Sequence, residues 1–218
     1  MSVSSGETLT LSGTGTVTTA IGGAGNLAIS GTVTQTGTVS NSGTRTIGSG
    51  GTWKLGPAAM TYGVANAGTL EFNGAGTIGN GAVTGAGLIS INASGGTVVV
   101  DSSSSLGSTG GVTITDGTLQ VTGANKLPSS GTVTVATGKT LDLDQSQSVA
   151  SLAGAGTVDI ASGKTLSLTD TGTIGVLAGA GTVDVANTKT LSLTDTGTIG
   201  LLAGTGTVSV ATGETITL

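Results

Sequence analysis

The sequence predicts an all-β protein, a right-handed parallel β-solenoid (β-helix) with three sides, and three observations carry that reading. The 218 residues include 42 glycines and 43 threonines, while charged residues make up 8% and aromatics 1%. Short runs of alternating apolar and polar residues recur between glycines. A repeat of 25 residues is plain in the C-terminal half.

The repeat decides the architecture. Residues 156–180 read GTVDIASGKTLSLTDTGTIGVLAGA and residues 181–205 read GTVDVANTKTLSLTDTGTIGLLAGT, identical at 20 of 25 positions. One period earlier, 131–155 reads GTVTVATGKTLDLDQSQSVASLAGA; one period later, 206–218 reads GTVSVATGETITL. Within a copy, Val158 and Ile160 alternate with Thr157 and Asp159, and Leu166 and Leu168 with Thr165 and Ser167. That is the two-residue period of a strand with one apolar face. A third run is less regular: Ile174 and Leu177 lie three apart, which suggests one strand with a bend or bulge. No stretch shows a helical apolar period with caps, so no helix is expected.

Three short strands per copy bury nothing alone, so copies must stack. With one copy per rung, rungs are 25 residues long and equivalent residues lie about 4.8 Å apart. The inward columns are then Val133, Val158, Val183 and Val208, and Leu143, Leu168, Leu193 and Leu218. Residues 1–130 carry the same vocabulary with a looser period, in strands such as Thr8–Leu11, Thr69–Phe72, Leu88–Ile91, Thr97–Val100, Val112–Ile114 and Thr118–Val121. With no linker or composition shift, residues 1–218 read as one domain, irregular over 1–130 and regular over 131–218. Roughly nine or ten rungs make a rod about 45 Å long.

The bulky residues Trp53, Met60, Tyr62 and Phe72 cluster. They imply a thicker local core or a covering loop near Gly51–Ala65; a small carbohydrate platform is the sharper alternative.

Composition excludes several chemistries. Without cysteine or histidine there is no zinc finger, thiol enzyme, disulfide scaffold or Ser-His-Asp hydrolase. Six basic residues and a net charge of −5 argue against nucleic-acid binding. No apolar run is long enough for a membrane-spanning helix, so no membrane insertion by this segment is expected. Met1–Leu11 has neither the basic nor the apolar region of an export signal. Eleven scattered acids and one Trp give no sugar-cleaving geometry, so no catalytic residue, and no enzyme, is expected. Gly74-Ala75-Gly76-Thr77-Ile78-Gly79 matches GxGxxG, but the next six residues, Asn-Gly-Ala-Val-Thr-Gly, cannot form the helix that the fingerprint requires. No dinucleotide cofactor is therefore expected. Asn92-Ala93-Ser94 is a glycosylation triplet by pattern alone.

On 25-residue rungs, Lys139, Lys164 and Lys189 form a charged ladder with Glu214 at its end, a solvated edge that discourages sideways sheet addition. Asp159 would stack with Asp184, and Asp170 with Asp195. Calcium needs six to eight oxygens, and the calcium-roll nonapeptide is absent, so no metal is expected. Thr-x-Thr pairs at Thr8/Thr10, Thr14/Thr16/Thr18, Thr32/Thr34/Thr36/Thr38, Thr44/Thr46, Thr171/Thr173 and Thr196/Thr198 could form a lattice of methyls and hydroxyls, as on an ice-binding solenoid face. That ladder breaks where Ser146 and Ser148 replace Thr171 and Thr173.

The stretch Gly111–Leu143, GVTITDGTLQVTGANKLPSSGTVTVATGKTLDL, and the adjoining SVASLAGAGTVDI resemble the autotransporter-associated β-strand repeat of bacterial surface proteins. The resemblance implies the β-helical passenger of a secreted adhesin, placed outside the cell or on the bacterial surface. This chain departs from that family in carrying no membrane β-barrel pattern. The expected function is therefore a structural module with adhesin, matrix or stalk character; the alternative is ice binding. Its expected partners are neighbouring segments of a longer chain or other copies of itself, with surface glycans as further candidates. Both ends lack a cap: the chain begins with Gly6-Glu-Thr-Leu-Thr-Leu11 after five residues and ends with Gly213-Glu-Thr-Ile-Thr-Leu218. Bare solenoid ends invite head-to-tail stacking into filaments.

Overall fold

A computed structural model describes residues 1–56, 60 and 62–218. Residues 57–59 and 61, within the loop expected near Gly51–Ala65, lie outside the described residues. The described chain has no helix, and its parallel strands stack into a β-solenoid of about 11 turns with rungs about 19 residues apart. At strand spacing this is a rod of about 50 Å, slightly longer than expected.

The 19-residue rung corrects the expected 25. Each copy contains four strands, not three: Thr157–Ile160, Thr165–Leu168, Gly172–Ile174 and Val176–Gly179. The run read as one bent strand is two strands, and Gly175 is a true corner between them. An added Cβ on Gly175 would collide with the Ala155 carbonyl oxygen, so only glycine lets the corner close against the turn below. In the repeats one turn of the solenoid holds three strands, so each strand pairs with the third one after it. Thr157–Ile160 lies beside Val176–Gly179, Thr165–Leu168 beside Thr182–Val185, and Gly172–Ile174 beside Thr190–Leu193. Three quarters of a 25-residue copy is about 19 residues, the observed rung.

Equivalent positions therefore do not stack. Thr157–Ile160, Thr182–Val185 and Thr207–Val210 occupy three different sides, which hold Val176–Gly179, Leu201–Gly204 and Thr190–Leu193 respectively as neighbours. The interior columns consequently mix residue types. One runs Val98, Leu119, Leu141, Val158 and Leu177; its companion runs Val100, Val121, Leu143 and Ile160. All nine side chains are buried. Full burial stabilises each by roughly 1.5–3 kcal/mol, and unequal neighbours interlock better than a uniform stack.

The residues expected to form inward columns divide by position along the rod. Val133, Val158, Val183, Leu143, Leu168 and Leu193 are all buried, though not above one another. Val208 is only partly buried and Leu218 is 71% exposed, both in the last described turn. In the N-terminal half, Leu88–Val100 and Val112–Val121 each run continuously past a corner, joining pairs of strands expected to be separate. Ser94, Gly95 and Gly117 take positive φ where those strands bend.

The cluster of bulky residues lies in the interior. Trp53, Met60, Tyr62 and Phe72 are all buried, which leaves no exposed aromatic platform for a sugar among them. Trp53 stacks on Tyr62 with ring centroids 6.2 Å apart and planes 16° from parallel. The Arg45 guanidinium lies 3.9 Å from the Tyr62 ring centre, a cation–π contact. Burial raises the Tyr62 phenol well above its usual range, against the opposing pull of Arg45.

Candidate functional site

Three kinds of surface are available for function: the corners, the outer faces of the three sides, and the two end turns.

The corners between the first and second strands of each copy are four-residue turns. Lys139 N–H donates to the Ala136 carbonyl at 2.9 Å, Lys164 to Ala161 at 3.1 Å, Lys189 to Ala186 at 3.1 Å and Glu214 to Ala211 at 3.0 Å. The expected lysine ladder does not form, since the copies advance one side at a time and these corners lie on different edges. Each side chain instead reaches one turn back. Lys139 pairs with Asp116, Lys189 with Asp170 at 2.8 Å, and Lys164 donates to the Gln145 amide oxygen at 3.1 Å. Glu214 accepts from the Thr196 hydroxyl at 2.7 Å. The hydrogen bond from Lys189 holds the Asp170 carboxyl below its usual value, and that from Lys139 does the same for Asp116. These exposed pairs pin corner to corner but contribute little stability.

The expected aspartate pairs are also absent, for the same reason. Asp184 lies beside Ser167 and Ala203, and Asp159 lies beside Asp142. Burial, then the Asp144 and Asp159 carboxylates, raises the Asp142 carboxyl above its usual value. Gln120 donates to Asp144 at 2.9 Å. Among the described residues no three acidic side chains converge as a metal site would require.

Threonine columns do form, but not where the Thr-x-Thr pairs alone suggest. Thr8 and Thr10 stack on Asn26 and Ala28. Thr14 and Thr16 stack on Thr32 and Thr34, and one of those columns continues through Thr52 and Thr69. The other gives way to Lys54 and Glu71, joined by an ion pair of 2.9 Å. A second column, Thr97, Thr118, Thr140 and Thr157, ends at Val176. The doubled lattice is thus two turns deep.

Buried amides fasten the irregular turns. Gln147 donates to the Gly123 carbonyl at 2.7 Å and accepts from Lys126 N–H at 2.8 Å. Asn66 donates to the Leu88 carbonyl at 2.9 Å and accepts from Gly68 N–H at 3.1 Å; Asn41 donates to the Gly25 carbonyl at 2.9 Å. Each supplies backbone partners where the ladder is interrupted. The sequence signal that could have found them is an amide at a core-register position.

The end turns are open. At one end Leu9, Leu11 and Val17 are partly buried, and Leu11, Val17 and Val33 line a groove of about 250 Å³. At the other, Leu202, Val208, Val210 and Ile216 are partly buried and Leu201 is 54% exposed. The strands Thr8–Leu11 and Thr14–Val17 pair on one edge only, as do Leu201–Gly204, Thr207–Val210 and Ile216–Thr217.

No family model, curated protein or solved structure matches this chain significantly. The fold fits a β-solenoid structural module.

Proposed function

We propose that this protein is a structural rod of a secreted or bacterial surface assembly, with stalk or adhesin character, whose open end turns stack head to tail on further solenoid turns. One observation carries the reading: turn stacks on turn through in-register parallel strand pairs around a continuous apolar interior, a pattern that further solenoid turns can extend. Every strand pair between turns is parallel, so only the last turn of one copy can continue the first turn of another with the same hydrogen-bond pattern. The outer columns of Thr, Ser and Asp give a polar, repetitive surface suited to contacts that are weak per turn and summed along the rod, with surface glycans as one partner class. The outside placement rests on the repeat resemblance. The two-turn threonine lattice supports ice binding less well, since Lys54 and Glu71 interrupt it.

Negative-stain microscopy with light scattering over roughly a hundredfold range of concentration tests this, because head-to-tail association follows mass action. Fibres one solenoid wide that lengthen with concentration are expected. Particles that stay short at every concentration would overturn self-stacking, and compact particles without a rod's dimensions would overturn the structural reading itself.

A further inference from the structure

The sequence repeats by a 25-residue copy, whereas the turn is about 19 residues long. The strand pairing explains why. The second strand of one copy always lies beside the first strand of the next: Thr140–Leu143 beside Thr157–Ile160, Thr165–Leu168 beside Thr182–Val185, Thr190–Leu193 beside Thr207–Val210. Each of these pairs keeps the same register, with Leu141 beside Val158, Leu166 beside Val183 and Leu191 beside Val208. Each lies on a different side of the rod. The first strand always lies beside the fourth of its own copy: Thr132–Val135 beside Ser151–Ala153, Thr157–Ile160 beside Val176–Gly179, Thr182–Val185 beside Leu201–Gly204. The third always lies beside the second of the next: Gln147–Val149 beside Thr165–Leu168, Gly172–Ile174 beside Thr190–Leu193, Gly197–Thr198 beside Ile216–Thr217. The fourth meets the third of the next copy through the close approach of Gly172 to Leu152 and of Gly197 to Leu177.

All four rules hold on whichever side they fall. The three sides are therefore interchangeable for a copy, and each strand's requirement is a neighbour of the right kind. We infer that the C-terminal half is a length-adjustable spacer: whole copies can be removed or added without changing any neighbour relation. Each copy changes the rod by four thirds of a strand spacing, about 6.4 Å, and turns everything beyond it by one side. Removing one turn has the opposite effect. Every strand stays on its side, but a fourth strand then lies on a second strand, a pairing absent from the regular region.

This inference rests on the reading as a rod, and two deletions test it. Deleting residues 156–180 removes one copy; deleting residues 157–175 removes one turn and sets Val176–Gly179 on Thr140–Leu143. Circular dichroism, thermal unfolding and small-angle X-ray scattering are read for both and for the parent. The copy deletion is expected to keep the parent's sheet signal, melt within about 5 °C of it and shorten the rod by about 6 Å. The turn deletion is expected to melt well below the copy deletion. An inserted extra copy should lengthen the rod by the same ~6 Å. A copy deletion that unfolds, or a turn deletion as stable as the copy deletion, would overturn the inference. Either result with a rod-shaped parent leaves the rod reading standing; a parent without rod dimensions overturns that reading instead.

Discussion

Replacing Thr188 with glycine should make the protein more stable. The four corner turns Ala136–Lys139, Ala161–Lys164, Ala186–Lys189 and Ala211–Glu214 share one hydrogen-bonded shape. Their third residues take φ of +71° at Gly138, +71° at Gly163, +63° at Thr188 and +90° at Gly213. A Cβ added at Gly138, Gly163 or Gly213 would meet nothing within 4 Å, so the position asks for glycine through its backbone conformation alone. A left-handed residue other than glycine costs about 1–2 kcal/mol, and a β-branched one belongs at the upper end. Glycine returns roughly 0.5–1 kcal/mol of that through its greater freedom when unfolded. Thr188 is exposed, and among the described residues its hydroxyl makes no hydrogen bond that would offset its strain. The net gain from Thr188→Gly is therefore about 1–1.5 kcal/mol, a rise of roughly 2–6 °C in Tm for a chain of this size. The reverse change, Gly163→Thr, should cost a similar amount. Far-UV circular dichroism melts and denaturant titrations read both. A neutral or destabilising Thr188→Gly together with a harmless Gly163→Thr would refute the reasoning.

Other substitutions separate the remaining forces. Leu168→Asp places a charge where Leu168 is 1% exposed and should cost about 4 kcal/mol or more, read as a lost or greatly lowered thermal transition. Gly179→Ala should cost well over the ~1 kcal/mol of an unfavourable φ, because the new Cβ would collide with the Ile160 carbonyl oxygen; the comparison with Gly163→Ala isolates that clash in a melt. Asp142→Asn should stabilise the protein by about 0.5 kcal/mol at neutral pH by removing like charges directly opposite each other. The folded Asp142 carboxyl is raised, so its favourable contribution exists at low pH and is lost as pH rises through its folded value. The advantage of Asn should accordingly vanish in melts taken at progressively more acid pH.

Much of the fold was legible because strands write a two-residue period, as in Val158 and Ile160 or Leu166 and Leu168, and stacking writes a repeat. The rung length was not, for a specific reason. A sequence repeat reports how many strands make a copy, whereas pairing reports how many strands make a turn; here the copy has four and the turn three. The spacing of Ile174 and Leu177 contained the missing information, but Gly175 as a corner becomes evident only when the Ala155 carbonyl is in place beneath it. Every expected ladder depended on that one assignment. Once it changes, Lys139, Lys164 and Lys189 separate to different edges and find Asp116, Gln145 and Asp170 instead. The exposure of Leu218 was not legible: it reads like Leu193, yet it is 71% exposed where Leu193 is buried.

Cysteine pairing tests the three-strand turn most directly, and the chain has no cysteine of its own to interfere. Ser167 and Asp184 are register partners on adjacent outward-facing strand positions. Their Cα atoms should lie about 4.8 Å apart, inside the range of about 4.4–6.8 Å that a disulfide spans. Asp159 and Asp184 are equivalent positions in successive copies and lie on different sides. Under mild oxidation at low concentration, Ser167→Cys with Asp184→Cys should form an intramolecular disulfide, whereas Asp159→Cys with Asp184→Cys should remain reduced. The opposite pattern would put one copy in each rung and contradict the architecture.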